Sequence, residues 1–178
     1  MPISTAKRRN RVRAVAFAGI AALGALGMTA PQAQATETIR FSPKASAAAR
    51  TIAKADVKAA ARAGNVCGSG WNLYNAEQLP EPNRRLGTLF TYTRDSGSGS
   101  DTPTCAIFDN NTGSKKYMKI KLCSNYTDTP CKSDEGWFNE YAGPVYQDRG
   151  GCGDVYAIMK DSAGRVLIDA KRGATSCD

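Results

Sequence analysis

The sequence predicts an all-β protein, a small disulfide-bonded antiparallel sandwich or partly closed barrel preceded by one Ala-rich helix. Three observations carry that prediction. Short segments beyond Arg85 alternate apolar and polar residues with the period of a strand. Clusters of Gly, Asn, Asp, Ser and Pro separate those segments. Six cysteines, Cys67, Cys105, Cys123, Cys131, Cys152 and Cys177, all follow an N-terminal export pattern, and an even count in an exported chain favours cystines.

The export pattern occupies residues 1–35. Lys7, Arg8, Arg9, Arg11 and Arg13 precede an apolar run from Ala14 to Ala30, and Ala33-Gln34-Ala35 supplies the small residues of a cleavage site. That order is the secretory signal peptide. The run is Gly-interrupted and shorter than the roughly 20 residues of a membrane span, so no stable transmembrane insertion is expected and the product is placed in the medium or at the extracellular surface. Cleavage after Ala35 removes five cations and no anion, so the formal charge falls from +8 to +3. Thr36 to Val66 then holds six Lys/Arg against Glu37 and Asp56, whereas Cys67 to Asp178 holds 13 Lys/Arg against 14 Asp/Glu. The near-neutral balance of the latter region removes the electrostatic case for a nucleic-acid partner.

Residues 36–66 read as a basic, Ala-rich helical lead-in or spacer. Ser42-Pro43 supplies an N-cap and a first-turn proline, Ala45 to Ala63 is rich in the best helix former, and Gly64 is placed to end the helix. Arg50, Lys54, Lys58 and Arg62 recur every four residues and form one basic row. The helix is read chiefly as a solvated spacer, a pro-segment or a loosely docked element, with contact of its basic row to an anionic surface, wall polymer or lipid headgroups, as the alternative.

At Cys67 the composition changes to Gly, Asn, Tyr, Thr and Cys, which marks the start of a cystine-bonded β domain at 67–178. Arg85 to Thr93 is expected as a central strand, and Cys105 to Phe108 as a second, closed by the turn Asp109 to Gly113. In Lys115 to Cys123, Met118, Ile120 and Leu122 face the core. Lys115, Tyr117, Lys119 and Lys121 on the other face make a basic, partly aromatic strip. Lysines at that spacing are what a solvated edge strand carries as protection against aggregation; a site for an acidic polymer is the alternative. Gly143-Pro144 points to a bend or edge in the following aromatic segment. Val155 to Met159 and Arg165 to Ala170 form a hairpin around Asp161-Ser162-Ala163-Gly164, bracketed by Cys152 and Cys177. Cys123 and Cys131, across a short polar loop, are expected to pair. Cys67 with Cys105 and Cys152 with Cys177 then avoid crossed bridges.

Val66-Cys67-Gly68-Ser69-Gly70-Trp71, Arg85-Leu86-Gly87-Thr88-Leu89 and Tyr141-Ala142-Gly143-Pro144-Val145-Tyr146, in that order, resemble the spore-associated protein A family of small secreted actinobacterial proteins. The resemblance runs from Val66 to the C-terminus. It implies an exported, cystine-containing domain associated with spores or the cell exterior, and it carries over no catalytic residue. The segment Cys152-Gly153-Asp154-Val155-Tyr156 departs from the family pattern, and Cys123 with Cys131 looks like an added bridge.

Catalytic chemistry has little to work with. The chain has no histidine, which removes Ser-His-Asp and Cys-His arrangements. Asp134, Glu135, Glu140, Asp148 and Asp154 are present, but sequence spacing does not fix the separation that a two-carboxylate glycosidase needs. No C-x-x-C pair occurs, and no metal or cofactor is expected. The expectation is a secreted, non-enzymatic structural or surface-associated protein whose partner is a cell-wall or spore-surface polymer. A glycan- or peptide-binding module is the second reading, with Trp137, Tyr141, Tyr146, Tyr117 and Lys119 as candidate contacts. A peptidase inhibitor presenting Ser124 to Pro130 is the third.

Overall fold

The computed structural model describes residues 38–94, 99–175 and 177. The expected signal peptide and its cleavage site lie outside the described residues. Chain contacts gather Ala35–Asp178 into one compact unit.

Eight strands form two four-stranded antiparallel sheets. Sheet A has the order β1 (Trp71–Glu81), β2 (Arg84–Arg94), β3 (Thr104–Asn110), β6 (Tyr141–Gln147). Sheet B has the order β5 (Lys132–Phe138), β4 (Lys116–Leu122), β7 (Asp154–Lys160), β8 (Val166–Gly173). The sheets face each other as a sandwich, not a closed barrel. Leu79, Leu89, Ala106 and Phe108 of sheet A meet Met118, Ile120, Leu122, Val155, Ala157, Met159 and Ile168 of sheet B in one buried cluster.

A third layer lies on the far side of sheet A. Helices α1 (Ala47–Ala55) and α2 (Val57–Cys67) pack there, and Ala49, Ala53, Ala60 and Ala63 meet Leu73, Phe90, Tyr92 and Ile107 in a second buried cluster. Alanine suits this layer because a small side chain lets a helix lie close to a sheet. Gly64 brings the approach closer still: a Cβ on it would stand 3.3 Å from the Tyr92 ring. The residues expected to form a solvated lead-in are therefore part of the packed domain, and the boundary expected at Cys67 falls at the last residue of α2.

The helical segment differs from expectation in its caps and continuity. Ser46, not Ser42, is the N-cap of α1, its side chain accepting from the Ala49 N–H at 3.0 Å. The run then breaks at Asp56, whose carboxylate accepts the Ala59 N–H at 3.1 Å and starts α2. Gly64 does not end α2; Gly68, at φ 99°, does, in the left-handed region open to glycine. The basic row is divided accordingly. Arg50 turns back to donate to the Ala45 and Ser42 carbonyls and lies over the Phe41 ring. Arg62 reaches Asp109 and Glu140. Lys54 and Lys58 remain exposed.

Both β2 faces are buried because the sandwich core lies on one side and the helices on the other. β6 is an edge strand, as the Gly143-Pro144 pair predicts. Gly143 has φ 105°, and a Cβ there would stand 2.9 Å from the Ala106 carbonyl oxygen. The terminal hairpin forms as β7 and β8, and the Asp161 carboxylate closes its turn by accepting the Ala163 and Arg165 N–H groups at 2.9 Å. The pairing has a register shift between Met159 and Lys160, and Val166, opposite Lys160, is 58% exposed.

Two disulfides are present. Cys67–Cys105 ties the end of α2 to β3, and Cys123–Cys131 closes the loop between β4 and β5. The expected Cys152–Cys177 bridge is not formed. The hairpin arms stay paired past β8: the Ala174 N–H donates to the Gly153 carbonyl at 2.8 Å and the Thr175 N–H to the Gly151 carbonyl at 2.9 Å. Thr175 thus takes the place across from the Cys152 turn. Cys152 is half-buried and Cys177 is exposed. Disulfides fit an oxidising compartment. Among the described residues, no helix is long and apolar enough to cross a membrane.

Candidate functional site

The five aromatic and basic residues singled out in the sequence divide between the two outer faces of the sandwich. Tyr141 and Tyr146 belong to sheet A, on the side of the helices. The Arg62 guanidinium lies over the Tyr141 ring at 5.5 Å. Tyr146 is 41% exposed, yet its hydroxyl donates to the Val66 carbonyl at 3.1 Å and its ring leans on Trp71 at 5.8 Å. Both side chains fasten α2 to the sheet. They do not share a groove with Trp137.

Trp137, Tyr117 and Lys119 come together on the outer face of sheet B. Pairing places Tyr117 opposite Trp137 on one side and Lys160 on the other, and Lys119 opposite Glu135 and Ile158. The next row along the strands is Ser133, Lys121, Tyr156 and Lys171. The face crosses four strands, and among the described residues no helix packs on it. β4 is flanked on both sides, by β5 and β7. The account of its lysines as guards of a free edge is thereby overturned, because an interior strand has no unpaired backbone to protect.

Trp137 is 49% exposed and meets Tyr117 edge-on, ring centroids 6.0 Å apart. An aromatic pair in this arrangement gains from its edge-to-face contact. Lys119 is already matched: its ammonium lies 2.6 Å from Glu135, which raises the lysine above its ordinary range and lowers the carboxyl below its own. Lys171 is paired with Asp154 at 2.9 Å and is likewise held above its usual value. Lys121 and Lys160 are different. Lys121 lies 4.3 Å from the Tyr156 ring centre and Lys160 5.6 Å from that of Tyr117, and neither forms an ion pair among the described residues.

Lys160, Tyr156 and Lys171 escaped the sequence reading as contact residues. Their signal was the hairpin parity that puts Val155, Ala157 and Met159 inside and so sends Tyr156 and Lys160 outward.

The remaining charged cluster of note lies on the helix side and is inward-looking. Asp109 is 3% exposed, accepts from Arg62 and is bonded by the Asn111 amide at 2.9 Å. Burial raises its carboxyl above the ordinary range, and the Arg62 charge opposes that rise. Arg85 joins the same network, bonding Asp56, Thr88 and Asn111. These contacts join the α1–α2 break to β2 and β3. Burial likewise raises the Tyr92 phenol, whose hydroxyl donates to the Ala60 carbonyl at 2.6 Å.

The loop Ser124 to Pro130 is fastened at several points. Tyr126 donates to Asp101 at 3.2 Å and lies under Arg149, and Gln147 donates to the Pro130 carbonyl at 2.9 Å. Asn125, Thr127, Asp128 and Pro130 of this loop remain exposed. Among the described residues no cluster of metal-ligating side chains occurs.

No family model matches the chain, and neither the curated proteins nor the solved structures contain a significant match to it.

Proposed function

We propose that this is a secreted, non-enzymatic domain that attaches to the cell exterior, at the wall or spore surface, through the outer face of sheet B. The observation that carries the reading is the Trp137–Tyr117 pair, with Trp137 49% exposed, on a four-stranded face that no helix among the described residues covers. A flat sheet carrying open aromatic rings suits an extended polymer chain, since rings offer apolar area to sugar faces with little loss of side-chain freedom. Two cystines and the packed helical layer support a domain that persists outside the cell. The resemblance to the spore-associated protein A family points to the same location.

The test is retention of the purified mature protein on isolated wall and spore-surface material. Wild type is expected in the pellet. Replacing Trp137 and Tyr117 together by Ala is expected to release most of it, with little change in thermal midpoint because Trp137 is already half in water. Equal retention of the double variant would refute the reading.

A further inference from the structure

We infer that the outer face of sheet B takes an uncharged polysaccharide of equatorially linked pyranose rings, lying across the strands along the row Trp137, Tyr117, Lys160 and Val166. The inference rests on the attachment reading above and adds the chemical class and the path of the polymer.

The path comes from the register. Tyr117 pairs with Trp137 on β5 and with Lys160 on β7, and Lys160 pairs with Val166 on β8, so the four residues form one line across the sheet. Its two ends are open: Trp137 is 49% and Val166 58% exposed. Three strand spacings separate them, about 14 Å, which is longer than a single sugar ring. Between the ends the line stays largely apolar. The Tyr117 ring meets Trp137 edge-on, and the Lys160 ammonium lies 5.6 Å from the centre of that tyrosine ring, a position that brings the lysine's methylene stem onto the same strip. Two of the four large hydrophobic side chains left exposed among the described residues thus fall in one line. The C–H faces of equatorially linked pyranoses are apolar and succeed one another along the chain, and they match such a strip.

The choice of an uncharged polymer comes from the charge balance of the face. Outward positions in the paired rows carry Lys119, Lys121, Lys160 and Lys171 against Glu135, Asp154 and Asp169, a difference of one charge. Glu135 and Asp154 already match Lys119 and Lys171. A polyanion following the strip would run beside Glu135 and Asp169 in the next row, and a polycation would meet Lys160. That next row reads Glu135, Lys119, Ile158, Asp169. It sets carboxylate acceptors and an ammonium donor alongside the strip, and a sugar hydroxyl, which both donates and accepts, bonds to either. An extended peptide suits the strip less well, because its backbone groups pair at a sheet edge, whereas the strip crosses β4 and β7, each already paired on two sides.

The experiment is depletion of the mature protein from solution by insoluble chitin and cellulose, followed by calorimetric titration with soluble chito- and cello-oligosaccharides. Depletion by at least one of the two polymers is expected, with an affinity that changes less than about twofold as salt is raised from about 0.05 to 0.5 M. Val166→Asp, at the far end of the strip from the aromatic pair, is expected to weaken binding about tenfold, since a carboxylate would then be covered by the sugar. Its thermal midpoint stays unchanged because the side chain is already more than half in water. Lys58→Gln, on the exposed side of α2, is the control and leaves affinity within about twofold. Steep weakening with salt, or wild-type affinity in Val166→Asp, would overturn the inference. Retention on wall material without depletion by either polysaccharide overturns the uncharged-glycan assignment while surface attachment stands. Displacement from walls by wall-derived peptides, with the oligosaccharides without effect, overturns it in favour of a peptide. Failure on walls, chitin and cellulose alike removes both claims.

Discussion

The two outer faces of the sandwich are built from similar ingredients and end up opposite in character. Both carry aromatic rings with cations beside them: Arg62 over Tyr141 and Arg94 over Trp71 on sheet A, Lys121 over Tyr156 and Lys160 over Tyr117 on sheet B. On sheet A two Ala-rich helices cover the face, a disulfide fastens them, and Arg62 is engaged by the buried Asp109. On sheet B no helix is packed on the face among the described residues, and Lys121 and Lys160 form no ion pair among them. A cation near a ring is thus no indicator of a binding site by itself. What separates the cases is whether a covering layer has already taken the ring and the charge as its own contacts.

That comparison is broken most severely by removing the covalent tie of the covered face. Cys67–Cys105 closes a loop of 38 residues, for which loop-closure entropy gives about 4 kcal/mol. Cys67→Ala with Cys105→Ala is expected to lose an amount of that order in urea unfolding. Proteolysis should then cut first within α1 and α2, while any fragment retaining both sheets keeps its attachment to wall material. A variant whose stability is unchanged would show that packing alone holds the helices.

Gly64→Leu tests the same layer without touching sulfur. The glycine lies against the Tyr92 ring, and a leucine must push α2 outward at a cost of about 1–3 kcal/mol. Its better helix propensity returns about 0.8 kcal/mol, so the expected net effect is a moderate fall in the urea midpoint. A rise would mean that α2 is free to shift.

The smallest effect concerns Asp109 and shows in the pH dependence. Its folded carboxyl titrates above the ordinary value because burial disfavours the charge. The folded state therefore holds its proton more tightly than the unfolded chain does. The stabilisation is present below the unfolded value and is lost as pH rises through the raised folded value. The stability of wild type relative to Asp109→Asn is expected to fall as pH is raised from about 4 toward neutrality. An advantage that grows over the same range would show that the Arg62 attraction outweighs burial.

Much of the sandwich was legible in the sequence, and the reasons for the exceptions are specific. β7 and β8 announced themselves because one parity, Val155, Ala157 and Met159, was apolar throughout. The docking of the helices was hidden because alanine gives little hydrophobic contrast: Ala49, Ala53 and Ala60 are fully buried, yet the residue type is compatible with either side of a helix. A hint did exist in β2, where Leu89 and Phe90 are apolar neighbours of opposite parity. Both sides of that strand had to be covered, which a two-layer protein does not do. The position of β4 was misread because alternate lysines look the same on an edge strand and on an interior strand with one bare face. Only strand order separates those cases, and it depends on long-range pairing that local pattern does not encode. The bare face itself was half visible: Tyr117, Lys119 and Trp137 were found, but Lys121 and Lys160 acquire their distinct status only once Glu135 and Asp154 have matched the other two.

The central claim is that the uncovered face meets the cell exterior and the covered face does not. Lysine acylation of the mature protein, free and bound to wall material, tests it most directly, because the two faces carry reactive lysines at known positions. The expected result is protection of Lys121 and Lys160 on binding, with Lys54 and Lys58 on the helices modified equally in both states. Protection of Lys54 and Lys58 with Lys121 and Lys160 unchanged would place the contact on the helical layer and contradict the account.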